Sequence, residues 1–261
     1  MKVAVMLSCM YQNDTNIISR SFIQTNVVVV NQCDRDFVEE FDFDNIKNER
    51  CHCKFINTTE RGLSKSRNMA INNSDADICL ICDDDEIFEV DYESKINKAF
   101  VENPYADVIV FRLKDEAKDL GDRPMKIGMF RASRVCSVQI AFRRDSIVKN
   151  VIYFDSKMGS GSGNGAGEEN KFLVDCLRKG LKIIYVPFLI ASVDRSKSLW
   201  FEGFTEKYFR DLGWSTRRIY SDVIAYLYLI LFAIRHYRHY NKQISFVASL
   251  KYMHTGFFEN R

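Results

Sequence analysis

At 261 residues the chain can bury a sizeable core, as one large domain or as one domain with an appendage. Hydrophobic residues at 46% and charged residues at 28% describe an ordinary soluble globular protein, and a net charge of +2 offers no global pull toward nucleic acid. The charge is uneven: from Trp200 onward nine Lys/Arg stand against five Asp/Glu, which leaves −2 for the first 199 residues.

In chain order, Lys2–Cys9 reads as a first strand rather than a signal peptide, since no basic region precedes it. A short helical stretch over Ile17–Phe22 follows. Asn26–Asp34, with four consecutive valines, reads as a fully buried parallel strand, and Cys51–Asn57 as a weaker third one. Cys51-His52-Cys53 lacks a second ligand pair at finger spacing, so zinc is not expected there. The other cysteines are scattered, several of them inside apolar strands (Cys79, Cys82, Cys136). That usage points to a reducing cytoplasm with thiols serving as small hydrophobes. Thr59 or Glu60 opens a helix that runs through RGLSKSRNMAINNS.

Ile78–Cys82 is an apolar run sized for a central strand, and four acids follow it directly: Asp83, Asp84, Asp85 and Glu86. Adjacent carboxylates repel one another, so such a cluster persists where a cation neutralises it. Hard oxygen ligands at the carboxyl end of a parallel strand suit magnesium or manganese, ions that also take substrate phosphates. A helix near Tyr92–Glu102 and a buried strand at Ala106–Leu113 complete an alternation that implies a mostly parallel sheet with helices on both faces. Segments 126–131 and 135–143 read as shorter, half-polar strands of a small mixed sheet. From Gly159 to Gly167 every second residue is glycine. Glu168-Glu169 stands where a Walker loop needs Lys-Ser/Thr, so the stretch reads as an active-site lid feeding a helix. Leu181–Val186 returns to a strand stopped by Pro187, and Phe188–Val193 follows as another. Val223–Ile234 is apolar and flanked by basic residues, too short to span a membrane. It suits a membrane interface, a core helix or a dimer contact.

Four stretches, in this order and spacing, resemble the family-2 glycosyltransferases of the GT-A fold, particularly bacterial enzymes that build surface or capsular polysaccharides. They are the strand MLSC, RGLSKSRNMAI leading into the acidic cluster, GEENKF opening a helix, and the strand IIYVP. The similarity runs from about Val3 to Leu199. It implies an α/β GT-A domain over 1–199, Rossmann-like, with a nucleotide-binding half at 1–113 and an acceptor half at 114–199. Residues 200–261 would form a helical, membrane-associating region.

The resemblance also implies roles. Asp83 and Asp85 fall on the metal-binding motif, with Asp84 at the donor, and Asp34 matches the acid that contacts the donor base. Ser8, Cys9 and Tyr11 line that pocket, and Gly62, Lys65, Arg67 and Asn68 lie beside the nucleotide. Glu168-Glu169 matches an acidic pair whose second member acts as general base in inverting enzymes, although Glu replaces the usual Asp. Asp194 stands near where relatives carry a metal-facing His. The implied partners are a nucleotide-sugar, UDP-linked by preference, a saccharide or lipid-linked acceptor, and the inner face of the plasma membrane, with oligomerisation open. The alternatives are a sugar-nucleotide nucleotidyltransferase, for which a glycine-rich Arg-containing loop after the first strand is missing, and a catalytically silent, membrane-recruiting subunit.

Overall fold

The computed structural model describes residues 1–114, 120–194 and 203–261. The amino-terminal part builds β1 (Val3–Met10), α1 (Ile17–Arg20), β2 (Asn26–Gln32), β3 (Phe37–Asp44), β4 (Arg50–Thr58) and α2 (Leu63–Asn72). The middle continues with β5 (Ile78–Asp83), β6 (Glu86–Phe88), α3 (Tyr92–Glu102), β7 (Val108–Lys114), β8 (Met125–Lys126), α4 (Met129–Ala132), β9 (Ile140–Arg143) and α5 (Arg144–Lys149). Then come α6 (Glu168–Arg178), β10 (Ile183–Val193), α7 (Glu206–Ile219), α8 (Asp222–Tyr240) and α9 (Phe246–Phe258).

The described strands form one ten-stranded sheet in the order β3-β4-β2-β1-β5-β9-β7-β10-β6, with β8 paired to β10. Strands β4, β2, β1 and β5 are mutually parallel. Both faces of this block are covered, which is why its strands read as continuous apolar runs rather than alternations. Along β1, Ala4 and Met6 join one hydrophobic cluster while Val3, Val5, Leu7 and Cys9 join the other. β9 enters the same sheet antiparallel between β5 and β7.

Several boundaries differ from the sequence reading. Of 126–131 only Lys126 is in a strand, and Met129–Ala132 coils into a helical turn. Of 135–143 only Ile140–Arg143 is extended, after a 3₁₀ turn at Ser137–Gln139. These short strands join the main sheet instead of forming a second one. β10 runs through Pro187, because its pairing with β7 shifts register between Tyr185 and Leu189 and asks no ladder N–H of the proline.

The carboxyl-terminal helices share the cluster that covers one sheet face: Phe209, Trp214, Ile219, Leu229 and Met253 belong with Met6, Val28 and Phe172. The domain boundary drawn at 199–200 falls outside the described residues. α7 and α9 cross closely at Gly213 and Gly256, where a methyl group on either would overlap a carbonyl oxygen of the other helix. Among the described residues no helix is long and apolar enough to cross a membrane.

Candidate active site

The four parallel strands end side by side in polar residues. Ser8 is in register with Asp83, Cys9 with Asn31, and Asn31 with Asn57. At such a carboxyl edge open α/β sheets bind ligands. Buried Asn31 donates through Nδ2 to Asn57 Oδ1 at 2.8 Å and to the Gln12 carbonyl at 2.9 Å, and accepts from the Gln12 N–H at 2.9 Å. Gln32 Oε1 accepts from the Gly62 N–H at 2.7 Å. Gly62 sits at φ +119°, a backbone that side-chain-bearing residues rarely adopt, so the turn into α2 requires glycine. Ser66 Oγ donates to Ser8 Oγ at 2.8 Å. Ser8 and Cys9 are therefore buried beneath the crevice, and burial pushes the Cys9 thiol far up.

Arg67 is the hub of the site. Its side chain is fully buried, yet it carries a charge, so its surroundings must supply anions. Nη1 donates to Glu168 Oε1 at 2.9 Å, and Nη2 lies 2.9 Å from both oxygens of Asp83 and from Ser137 Oγ. The guanidinium also stands 5.3 Å from the Phe154 ring centroid. Burial would lower the pKa of Arg67, but Asp83 and then Glu168 outweigh it and hold the cation. Sequence placed Arg67 beside the nucleotide. Here its Nη1 and Nη2 tie the acidic loop to the start of α6. Neighbouring Asn68 is likewise engaged, holding the Phe154 backbone by two bonds of 2.8 Å.

The acids after β5 occupy distinct environments. Asp84 is exposed and Asp83 half-buried. The Asp85 carboxyl is raised above its usual range by burial and then by Asp83, Asp84 and Asp194. The Asp194 N–H donates to the Asp85 carbonyl at 2.9 Å, so β10 brings Asp194 to the cluster; residues 195–198 of VDRSKS lie outside the described residues. Glu86 is 1% exposed, and burial, then Asp83, pushes its carboxyl well up, with the Cys82 thiol beside it acting the other way. Among the described residues no three His, Cys, Asp or Glu side chains stand ready to hold an ion by themselves. The donor set nevertheless fits magnesium or manganese, which keep water and substrate phosphate in most positions and need one or two carboxylates. Asp83, Asp84 and Asp194 add their negative charge at Asp85, the kind of site such an ion would neutralise.

The glycine run lies against α2. The Leu63 N–H donates to the Ser160 carbonyl at 2.9 Å, Ser64 Oγ donates to the Met158 carbonyl at 2.8 Å, and Gly161 abuts the Gly62 backbone. A methyl group on Gly159 would stand 3.0 Å from the Glu168 carboxyl carbon, so the chain passes here only without a side chain. Glu168 is buried, its Oε2 accepting from the Gly167 N–H at 3.2 Å, while Glu169 is half-buried. Both stand in the first turn of α6, where the helix dipole favours carboxylates.

At the outer end of the crevice Asp34 accepts from Arg61 Nη2 at 2.7 Å, and that guanidinium lies 5.5 Å from the ring centroid of exposed Tyr11. Lys65 pairs with Glu60 at 3.3 Å. Sequence reasoning passed over four residues that bind this site together: Asn31, Gln32, Arg61 and Ser137. The polar ends of β2 were the available signal for the first two. Nothing in the 135–143 stretch marked Ser137.

The family model for glycosyl transferase family 2 matches residues 15–160, more than half of the chain. The chain belongs to glycosyl transferase family 2. In architecture this glycosyltransferase is similar to residues 1–349 of S. aureus TarS in complex with UDP-GlcNAc, with a TM-score of 0.65 and 15% identity over 98% of this chain and 82% of that one. TarS 1–349 in another crystal structure gives 0.60 and 16%, over 93% and 74%. The mannosyltransferase PcManGT from Pyrobaculum calidifontis, in complex with GDP-Man and Mn2+, gives 0.54 and 13%, over 98% and 73%. At these identities the likeness establishes the GT-A fold. No curated protein matches the chain. Glu168 and Glu169 lie beyond the residues the family model matches.

Proposed function

We propose that this glycosyltransferase moves a sugar from a nucleoside diphosphate donor, a UDP-sugar by preference, to a hydroxyl of a saccharide or lipid-linked acceptor, inverting the anomeric configuration. A surface or capsular polysaccharide is the product class, made at the inner face of the plasma membrane.

The observation that supports this reading best is the division of labour that Arg67 imposes on the acidic pair. Glu168 is committed to a buried cation, whereas Glu169, one residue along α6, is half-buried. Glu169 would take the proton of the acceptor hydroxyl as its oxygen attacks the anomeric carbon. Attack opposite the departing diphosphate inverts the configuration. Glu168 and Arg67 hold the start of α6 against Asp83. A divalent cation, manganese or magnesium, supplies neutralisation of the charge on the departing diphosphate when bound. Asp85 would hold it, with Asp83 and Asp194 beside it and Asp84 toward the donor. Tyr11, Asp34, Gly62 and Lys65 frame the nucleotide end. A hollow of about 520 Å³ bordered by Gly163, Asn164, Lys207 and Arg210 opens beside the glycine run and suits a polar acceptor.

Thermal denaturation with a panel of nucleotide-sugars tests this. At a donor concentration a hundredfold above Kd, stabilisation of about 2.7 kcal/mol is expected with manganese. It should vanish in EDTA and in Asp85→Asn, whose turnover should fall on the order of 10³-fold. Stabilisation undiminished by EDTA would contradict the metal assignment, and no response to any nucleotide-sugar would contradict the donor class.

A further inference from the structure

Helix α8 carries an apolar stripe that the fold leaves uncovered. Ala225, Leu229, Ala233 and Tyr240 turn into the core. Val223, Leu227, Leu231 and Ile234 turn away from it and remain 72%, 56%, 65% and 59% exposed, with Ile230, Tyr226 and Tyr237 alongside. Residues spaced three and four apart share one side of a helix, so these form a continuous strip rather than scattered apolar contacts. A strip of that kind marks an interaction surface.

Charge indicates what covers it. Between Asp222 and Glu259 the sequence holds no acidic residue, while Arg235, Arg238, Lys242 and Lys251 are cationic. Arg235 and Arg238 stand one helical turn beyond Leu231 and Ile234, and both are exposed, as is Lys242. The apolar strip thus runs directly into a basic end. Tyr226 and Tyr237 flank it with rings that are apolar in body and polar at the tip, suited to a boundary between oil and water.

We propose that this face docks on an anionic lipid surface, with α8 lying in the plane of the interface. The apolar stripe would enter the acyl boundary, and Arg235, Arg238 and Lys242 would meet headgroup phosphates. Dimensions favour this occupant. The apolar run from Val223 to Ile234 is about 18 Å of helix, well short of the roughly 20 residues that a span needs. A footprint of about 18 Å by 10 Å, on the order of 200 Å², also falls short of the about 800 Å² per partner of a standard protein interface. The proposal is independent of the donor and of the catalytic assignment, because binding is read without turnover.

The test is flotation of the intact chain with vesicles of phosphatidylcholine alone or with added phosphatidylglycerol. Binding is expected with the anionic vesicles, with release at high salt as the charges are screened. The Leu227→Glu/Leu231→Glu double variant changes only exposed positions and should lose more than about tenfold in vesicle affinity. Arg235→Ala/Arg238→Ala keeps the stripe and should lose about fivefold for each charge removed. Failure of the intact chain to float with anionic vesicles would overturn the proposal. So would flotation of Leu227→Glu/Leu231→Glu at the intact level. A dimer in solution that this variant dissociates while vesicle binding persists would assign the face to a second copy instead.

Discussion

At the scale of single residues the site turns on a buried cation between two carboxylates. Removing one partner of a buried ion pair strands the other without compensation, which typically costs about 3–5 kcal/mol. Arg67→Met should therefore lower the melting temperature on the order of 10 °C in a chain of this size, measured by differential scanning calorimetry. Arg67→Lys should rescue little, since one ammonium cannot reproduce bonds to Asp83, Ser137 and Glu168 at once. A wild-type melting temperature in Arg67→Met would contradict the hub role. The identity of this residue was legible in sequence, but its orientation was not. No local pattern announces that Glu168, 101 positions away, closes on it from the other side.

Elements were legible where burial on both faces made the pattern unambiguous. The valines of β2 and the apolar run of β5 declared themselves, because a central parallel strand tolerates little else. The sheet edge did not. β3 reads FVEEFDFD; Phe37, Phe41 and Phe43 are only half-buried while its acids face water, the composition of an edge strand that discourages pairing with other chains. Pro187 misled in the opposite direction, because a register shift in β10 absorbs the missing donor. The crossing of α7 and α9 gives an element-scale prediction. Gly213→Ala and Gly256→Ala each force the helix backbones apart, and overpacking of this kind costs about 3 kcal/mol. Either should melt roughly 10 °C lower, while Gly128→Ala, with open space at its Cβ and a negative φ, should be near neutral. Equal melting temperatures for Gly213→Ala and Gly128→Ala would refute the close crossing.

At the scale of the whole molecule, the carboxyl edge of one sheet gathers residues that are remote in sequence. β1 and β2 supply the floor, β5 the acids, α2 the buried cation, and the glycine run with α6 the acidic pair. Sequence revealed these parts as separate signals, because each is a local pattern. The sharing of Glu168 between α6 and Arg67 is a long-range contact that no local pattern announces. The most direct test of the account is the initial rate of sugar transfer by Glu169→Gln beside Glu168→Gln, at saturating donor and metal. Glutamine keeps the shape but accepts no proton, so Glu169→Gln should fall about 10²- to 10⁴-fold with donor affinity nearly unchanged. Glu168→Gln should lose less rate and more thermal stability. Near-normal turnover by Glu169→Gln with a dead Glu168→Gln would contradict the assignment.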